Sequence, residues 1–380
     1  QLGEVVVTAS ESKKIGSVST IGRDAMSHLQ PTSIGDLMEL LPGGISQTPS
    51  LTQGNSISLR ETGSLGSSGQ KLNSSQYSTN SLGTLFVVDG APINTDANMQ
   101  YMQNGGFDGM DMTNRGVDMR TISTDDIESI EVMRGIPSVE YGNLTSGVVN
   151  IKKIRKPTKL NARFKADDKS QLLSLGKGFA LDSSKSHILN IDGGLLNAYA
   201  DIRNPLEEYK RANLSARLTS TLNKEKVTLK ITPSAEYTGS FDNYKTDENL
   251  SYSGINTFKS TYHKLAVGNG ISILPNGNGH YQKTVVNMQL TQEFDNLERR
   301  VLVAPSRAGI APSSNATGEY DAYLLFSEYV ANYRVDGKPF SAFAKTTTDF
   351  EFNSQHIVNA LKFGAEWNMS KNFGEGQIYD

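Results

Sequence analysis

The chain has 380 residues, a formal net charge of −3, no cysteine and 37% hydrophobic residues. The length leaves room for two or three domains. The missing cysteine excludes disulfides and thiolate metal sites, and the charge balance does not favour nucleic-acid binding. No segment approaches the run of about 18 apolar residues that a membrane helix needs, whereas β-barrel strands alternate apolar and polar residues and stay possible.

The first 155 residues contain short helical and strand patterns. Ser33 precedes an apolar-periodic stretch that stops before Pro42 and Gly43, which predicts a short N-capped helix. A second helical turn is predicted at 124–127, with strands near 129–134 and 148–151.

The remaining residues repeat one pattern, a strand with period-2 alternation followed by a turn. Nine strands are predicted near 159–168, 171–180, 186–201, 209–222, 225–241, 258–274, 281–303, 338–352 and 355–371. Short connections alternate with longer ones, which are expected at 202–208, 242–257 and 304–337. Long alternating strands with two classes of connection are typical of an outer-membrane barrel, and nine strands predict part of a longer barrel protein. A soluble β-sandwich is the alternative.

Neither a catalytic site nor a metal site is predicted. The five histidines lack the spacing of a metal site, and no nucleophile elbow or phosphate loop is present. The sequence therefore indicates a protein that is not an enzyme and that needs no cofactor.

A β-branched run stands near the N-terminus in an otherwise polar stretch. It comprises Glu4, Val5, Val6, Val7, Thr8 and Ala9. Such a run can add as a strand to the open sheet edge of another protein. It could equally be an edge strand of this chain's own sheet.

Several short motifs follow one another in a fixed order. They are Glu4 to Ala9, Leu40-Leu41-Pro42-Gly43, Ile57-Ser58-Leu59-Arg60, Val88-Asp89-Gly90, Ile127 to Arg134 and Gly135, Tyr141-Gly142, and Gly147 to Ile151. In this order they resemble the plug domain of TonB-dependent outer-membrane transporters, and the strands that follow resemble the start of the family's barrel. The segment Leu175 to Phe179 is similar to transporters of the Bacteroidetes type.

The resemblance implies an α+β plug domain followed by antiparallel transmembrane β-barrel strands that form an incomplete barrel. The implied domains are 1–20 with the TonB box, 21–155 as plug and 156–380 as N-terminal barrel strands. It also implies a place in the bacterial outer membrane, a periplasmic N-terminus, and TonB-dependent import of a nutrient such as an iron complex. The implied partners are TonB, outer-membrane lipid, an unidentified extracellular ligand and a surface lipoprotein.

Two further expectations concern individual side chains. Arg60 and Arg134 are expected at strand ends, where acidic residues of the barrel wall could pair with them. The matched glycines are expected where turns need positive φ or close backbone approach.

The segment from Asn94 to Arg120 is the candidate for contact with a ligand, because methionine and aromatic side chains give an adaptable apolar surface. Its candidate residues are Met99, Tyr101, Met102, Phe107, Asp108, Met110, Met112 and Arg115. Packing of this segment on barrel loops is the alternative. For the whole protein, the alternatives are a non-transporting surface adhesin and an importer of glycans or peptides.

Overall fold

A computed structural model of the chain describes residues 10–11, 18–38, 40–41, 51–52, 57, 83–98, 116–134, 137–142, 144–245, 256–277, 279–303, 329–353 and 358–379. These residues form two β-sheets, a first sheet that ends at Lys153 and a second sheet that begins at Thr158. Among them no helix is long and apolar enough to span a bilayer.

The first sheet has six strands and carries three short helices. Its strands are β1 Ser10–Glu11, β2 Val18–Gly22, β3 Thr84–Val88, β4 Ala91–Pro92, β5 Ile127–Met133 and β6 Gly147–Lys153. The order is β1-β2-β5-β6-β3-β4, and β3 runs parallel to β6. The helices are α1 Arg23–Leu29, α2 Ile34–Met38 and a 3-10 helix at Met119–Thr121.

An apolar core holds the first sheet to its helices. Ile21, Ile34, Ile130 and Ile151 are completely buried, and Phe86 is 1% exposed. Burial of one such side chain contributes about 1.5–3 kcal/mol. The first sheet therefore has its own core, and its position against the second sheet depends on other contacts.

The start of α2 is capped from inside the helix. The Asp36 carboxylate accepts hydrogen bonds from the backbone N–H groups of Thr32 (2.6 Å) and Ser33 (3.1 Å). The predicted cap, the Ser33 hydroxyl, has no partner among the described residues. The helix thus begins where the sequence predicts, with a different capping residue.

The second sheet is antiparallel and consists of long strands. They are β7 Thr158–Ala166, β8 Ser170–Ala180, β9 His187–Asp201, β10 Asn204–Asn223, β11 Val227–Lys245, β12 Thr257–Pro275, β13 Tyr281–Val303, β14 Tyr329–Gly337, β15 Pro339–Asn353, β16 Val358–Asn372 and β17 Gly376–Tyr379. In space they follow chain order from β7 to β13, with β14 and β15 both paired to β13.

These eleven segments amount to nine strands. Asp295 of β13 pairs with Gly337 of β14, and Gln292 pairs with Phe340 of β15, so the register continues unchanged across Lys338. Between β16 and β17 the register shifts by one residue, as in a β-bulge. The described part of the chain therefore contains the nine long strands that the alternation predicts.

The two faces of the second sheet differ as the alternation requires. The face turned away from the first sheet is apolar, with Phe164 73%, Leu195 60% and Trp367 55% exposed. The opposite face is polar and buried against the first sheet, as at Arg211 and Arg217. The edge strands β7 and β16 do not pair with each other, so the sheet is open over the residues described.

Three details of the predicted elements were wrong. Residues 124–127 form a turn closed by the Ile127 N–H and the Thr124 carbonyl at 3.3 Å, and the helical residues lie earlier, at Met119–Thr121. The loop expected at 202–208 is mostly strand, because the Asp201 carboxylate accepts hydrogen bonds from Arg203 and tightens the turn. The loop expected at 304–337 includes β14 at its end.

The Asp89-Gly90 turn joins β3 to β4 and faces the second sheet. Its φ angles are 48° and 88°, which matches the type I′ turn favoured in two-residue hairpins. A Cβ built at Gly90 would lie 2.5 Å from Asn287 Nδ2 of β13. Gly142, by contrast, has open space around a built Cβ.

Gly90→Ala is expected to weaken the contact between the two sheets, because alanine at positive φ costs about 1–2 kcal/mol and its methyl group would displace Asn287. The measurement is the urea concentration at which the first sheet of the detergent-solubilised protein becomes sensitive to protease. Gly142→Ala is the control and should leave this concentration unchanged. An equal decrease in both variants would contradict the argument.

Candidate functional site

The contact between the two sheets is centred on the buried carboxylate of Asp126. Lys153, the last residue of β6, places its Nζ 2.8 Å from both Asp126 carboxylate oxygens. Arg217 of β10 approaches the same carboxylate with a nitrogen–oxygen distance of 2.9 Å. Asp126 therefore lies between one cation of its own sheet and one cation of the second sheet.

Arg217 is completely buried, and all three of its guanidinium nitrogens donate hydrogen bonds. Its guanidinium donates to the Ile154 carbonyl at 3.2 Å, to the Ser215 hydroxyl at 2.7 Å and to the Asp192 carboxylate of β9. Asp192 can take this position because Gly176 lies opposite, where a Cβ would come within 2.1 Å of Asp192 Oδ1. We call Asp126, Lys153, Arg217 and Asp192 the central anchor.

The first-sheet members of the central anchor are held in their charged forms. Burial alone would raise the pKa of Asp126, but the charges of Lys153 and Arg217 hold it below the ordinary value of 3.8. Burial alone would lower the pKa of Lys153, and Asp126 raises it above the ordinary 10.5. The ion pairs are therefore intact at neutral pH.

A second group of contacts joins the backbone of the first sheet to arginines of the second. Arg211 of β10 donates to three carbonyls, those of Arg120 (2.6 Å), Thr32 (3.2 Å) and Ile122 (3.3 Å). Arg163 of β7 donates to the Pro31 carbonyl at 3.0 Å. These carbonyls lie outside the sheet ladders, so the arginines supply the donors that they need.

Arg163 and its neighbour on β7 also reach side chains of the first sheet. Arg163 forms an ion pair with Asp125 at 2.9 Å. Lys165 donates to the Thr32 hydroxyl at 3.1 Å. Contacts from β7 and β10 thus converge on residues 31–32 and on 120–126.

Arg120 links the 3-10 helix to β10 and β11. It forms ion pairs with Asp118 at 2.8 Å and with Asp242 of β11 at 2.9 Å, and its guanidinium lies 4.3 Å from the centre of the Tyr209 ring. Burial lowers the pKa of Arg120, but the two aspartates raise it above the ordinary 12.5. The guanidinium is a permanent positive charge at this contact.

Two further groups of contacts lie at the turn of β3–β4 and in the segment before β6. Arg155 pairs with Asp89 at 2.9 Å, and Asp89 also accepts the Lys153 N–H at 2.9 Å. Glu140 pairs with Lys362 of β16 at 2.6 Å. Lys345 of β15 lies 5.4 Å from the centre of the Tyr141 ring. The first sheet is therefore tied to strands at both ends of the second.

The structure describes some of the sequence-predicted residues. Asp89, Gly90 and Tyr141 lie at the contact between the sheets, and Gly147 begins β6. Arg134 donates to the Ser19 hydroxyl of β2 at 3.0 Å, a contact within the first sheet.

The other predicted site residues lie outside the described residues. They are Glu4, Val5, Val6, Val7, Thr8, Ala9, Pro42, Gly43, Arg60, Met99, Tyr101, Met102, Phe107, Asp108, Met110, Met112, Arg115 and Gly135.

Asp126 and Arg217 are interface residues that the sequence motifs did not predict. A signal was present, since Arg211 and Arg217 both occupy the polar face of an alternating strand, where an arginine must find a partner if that face is covered. Alternation alone gives no indication of which carboxylate that partner is.

Comparison with known proteins decides the family. Residues 10–149 match the family described as TonB-dependent Receptor Plug Domain. The chain carries a TonB-dependent receptor plug domain. The first sheet with its helices is this plug, and the family is one of outer-membrane receptors rather than enzymes.

Relatives of known name agree with this assignment. The ferric enterobactin receptor of Pseudomonas aeruginosa is 33% identical over 159 residues, which cover 40% of this chain and 18% of the relative. The "Probable TonB-dependent siderophore receptor PirA" of Acinetobacter baumannii is 33% identical over 172 residues, covering 43% of this chain and 20% of the relative. The matched stretch is thus about a fifth of each relative.

A solved structure shows the same fold. The ferripyoverdine receptor of the outer membrane of Pseudomonas aeruginosa superimposes with a TM-score of 0.52 at 12% identity, over 94% of this chain and 43% of that chain. The plug and the open antiparallel sheet of this chain therefore correspond to a plug within part of a receptor barrel.

Asp126→Asn is expected to loosen the plug, because it removes the carboxylate that pairs with the buried Lys153 and leaves Asp192 as the remaining ion-pair partner of Arg217, a loss of about 3–5 kcal/mol. The measurement is the urea concentration at which the plug of the solubilised receptor becomes sensitive to protease.

The matched control is Glu128→Gln. Glu128 pairs with Lys156 at the surface, where the side chains are 35% and 60% exposed, and such pairs contribute at most about 1 kcal/mol. Equal effects of the two substitutions would contradict the role of the central anchor.

Proposed function

We propose that the protein imports an iron complex across the bacterial outer membrane, driven by TonB. The observation that carries the proposal is a plug with its own core, held by buried ion pairs against the polar face of barrel strands. A seal held by polar contacts can open without unfolding an apolar interface. The names of the ferric enterobactin and siderophore receptors among the relatives favour an iron complex as the ligand class.

The apolar outer face of the barrel strands is assigned to outer-membrane lipid. Leu173, Leu195, Leu290 and Phe363 are each between 46% and 61% exposed on this face. Exposed apolar area of this extent is unfavourable in water. The corresponding domains are 1–20 as TonB-binding segment, 21–155 as plug and 156–380 as barrel strands.

TonB is assigned to the segment from Glu4 to Ala9, which precedes an edge of the plug sheet. β1 contributes two residues, and these pair with Ser19 and Thr20 of β2. β2 in turn pairs with β5. Force applied at the N-terminus would therefore detach β1 and β2 from the edge of the sheet one after the other.

The chain reaches its first described hydrogen bond to a barrel strand at Pro31. Before that point, Arg23 donates to the carbonyls of Thr124 and Ile127, which belong to the plug. The central anchor lies about 100 residues further along the chain. Pulling would thus displace residues 10–30 while the anchored strands stay in the barrel.

Within the segment from Asn94 to Arg120, the candidate residues between 99 and 115 are assigned to ligand contact on the extracellular side, whereas Met119 and Arg120 at its end are buried. Met99, Tyr101, Met102, Phe107, Asp108, Met110, Met112 and Arg115 remain its candidate residues. A surface lipoprotein remains a proposed partner.

Deletion of Glu4 to Ala9 tests the function. With radioiron-labelled ferric enterobactin as probe, uptake by cells should be abolished while binding to the cell surface persists. The reason is that the deletion removes the segment on which TonB would pull and leaves the ligand site. In a non-transporting adhesin the deletion would change neither quantity. Uptake that survives the deletion would therefore contradict the proposal.

A disulfide across β2 and β5 should block uptake reversibly. Thr20 and Glu131 are register partners, and opposed antiparallel residues are close enough for a disulfide. Uptake by Thr20→Cys with Glu131→Cys should be lost on oxidation and recovered on reduction.

The control is Glu131→Cys with Asn150→Cys. This pair joins β5 to β6, two strands that should stay together, so oxidation should leave its uptake unchanged. Equal loss of uptake in both pairs would contradict the order of displacement.

A further inference from the structure

The plug covers the barrel strands unevenly. On β9 and β10 three inward-facing side chains beside the central anchor are sealed, with Asn190 1%, Arg217 0% and Thr219 3% exposed. Arg217 pairs with Ser234 of β11, yet Ser234 is half-buried. Three neighbouring inward residues of β11 and β12 are half-buried too. We call this strip the furrow; its residues are Thr232, Ser234, Gly268 and Gly270.

Plug contacts border the furrow on two sides. On one side lies Arg217 with the central anchor, and on the other Asn287 of β13 meets Gly90 of the plug. Inside the furrow, no described atom of the plug lies within 4 Å of a Cβ built at Gly268. The described atoms within that distance belong to Ser234 and Met288 of the barrel. The furrow is thus a gap between two contacts, walled by backbone and hydroxyl groups.

A polar cavity of about 70 Å³ lies beside the furrow, between plug and barrel. Its lining includes Asp126 and Lys153 of the plug and Glu236, Lys264 and Glu293 of the barrel. Glu236 lies two residues from Ser234 on the same face of β11, so the cavity is next to the furrow. At about 10–15 Å³ for each water, the cavity has room for about five waters.

One side chain that lines the cavity would be stabilised by a polar molecule inside it. Glu293 is 3% exposed, and its Oε2 has no hydrogen-bond partner among the residues described. A buried carboxylate oxygen without a partner is costly, and water or a polar solute in the cavity would remove that cost. If the cavity held no polar molecule, Glu293 Oε2 would be buried without a hydrogen-bond partner, which is unfavourable.

We propose that the furrow and the cavity form the hydrated route by which a hydrophilic solute passes the plug, along β11–β12 and not along β8–β10. The proposal rests on the proposed function and adds the wall of the barrel that the solute follows. The path has room for water before the plug moves, while the central anchor keeps the neighbouring wall of β9 and β10 closed.

Thiol labelling tests the furrow without a known ligand. The chain has no cysteine, so Thr232→Cys in the furrow and Thr219→Cys on the sealed wall form a matched pair on adjacent strands. In the intact receptor in detergent, a charged, water-soluble maleimide should modify Cys at position 232 at least ten-fold faster than at 219. Equal rates, whether both fast or both slow, would overturn the proposal.

A bulky side chain tests the route. Ser234→Trp should lower ferric enterobactin uptake at least ten-fold with unchanged binding at the cell surface, whereas Ser234→Ala should behave as the parent protein. Equal uptake by the two variants would overturn the route. Absence of surface binding in the parent protein would instead count against the proposed ligand, and the labelling rates would then decide the furrow.

Discussion

A buried arginine needs partners for its N–H groups and compensation for its charge, and at Arg217 this constraint ties the plug to its barrel. Arg217 is completely enclosed, and its charge is compensated from two directions, by Asp192 of the barrel and by Asp126 of the plug. Removal of the plug would take away one of the two carboxylates. The position of the plug is thus set by charge compensation, and its apolar core serves internal cohesion.

This separation of tasks explains how a stable domain can act as a movable part. The plug residues of the central anchor lie just before β5 and at the end of β6, two strands in the middle of the plug sheet, whereas β1 and β2 form an edge. An edge strand leaves by breaking one ladder, whereas a central strand must break two. The topology therefore places the detachable strands at the N-terminus, where the TonB-binding segment is proposed.

The sequence predicts the fold class better than the interface. Period-2 alternation was sufficient to predict nine long strands, because each strand of a membrane barrel has one apolar and one polar face. The turn at Asp201–Arg203 was missed because local side-chain hydrogen bonds closed a connection that composition alone suggested was a loop. Asp126 was predicted as part of a helical turn. Its role was missed because its partner Arg217 lies 91 residues away in the chain.

The length of the strands has a consequence for the path of a solute toward the plug. β13 has 23 residues, which at about 3.3 Å per residue gives a strand of roughly 75 Å. With a tilt of about 40°, its height is roughly 57 Å, nearly twice the hydrocarbon thickness of about 30 Å. The wall therefore rises as a rim well beyond the lipid. A solute that enters this rim has left bulk solution before it reaches the depth of the bilayer, so capture and crossing are separated in space.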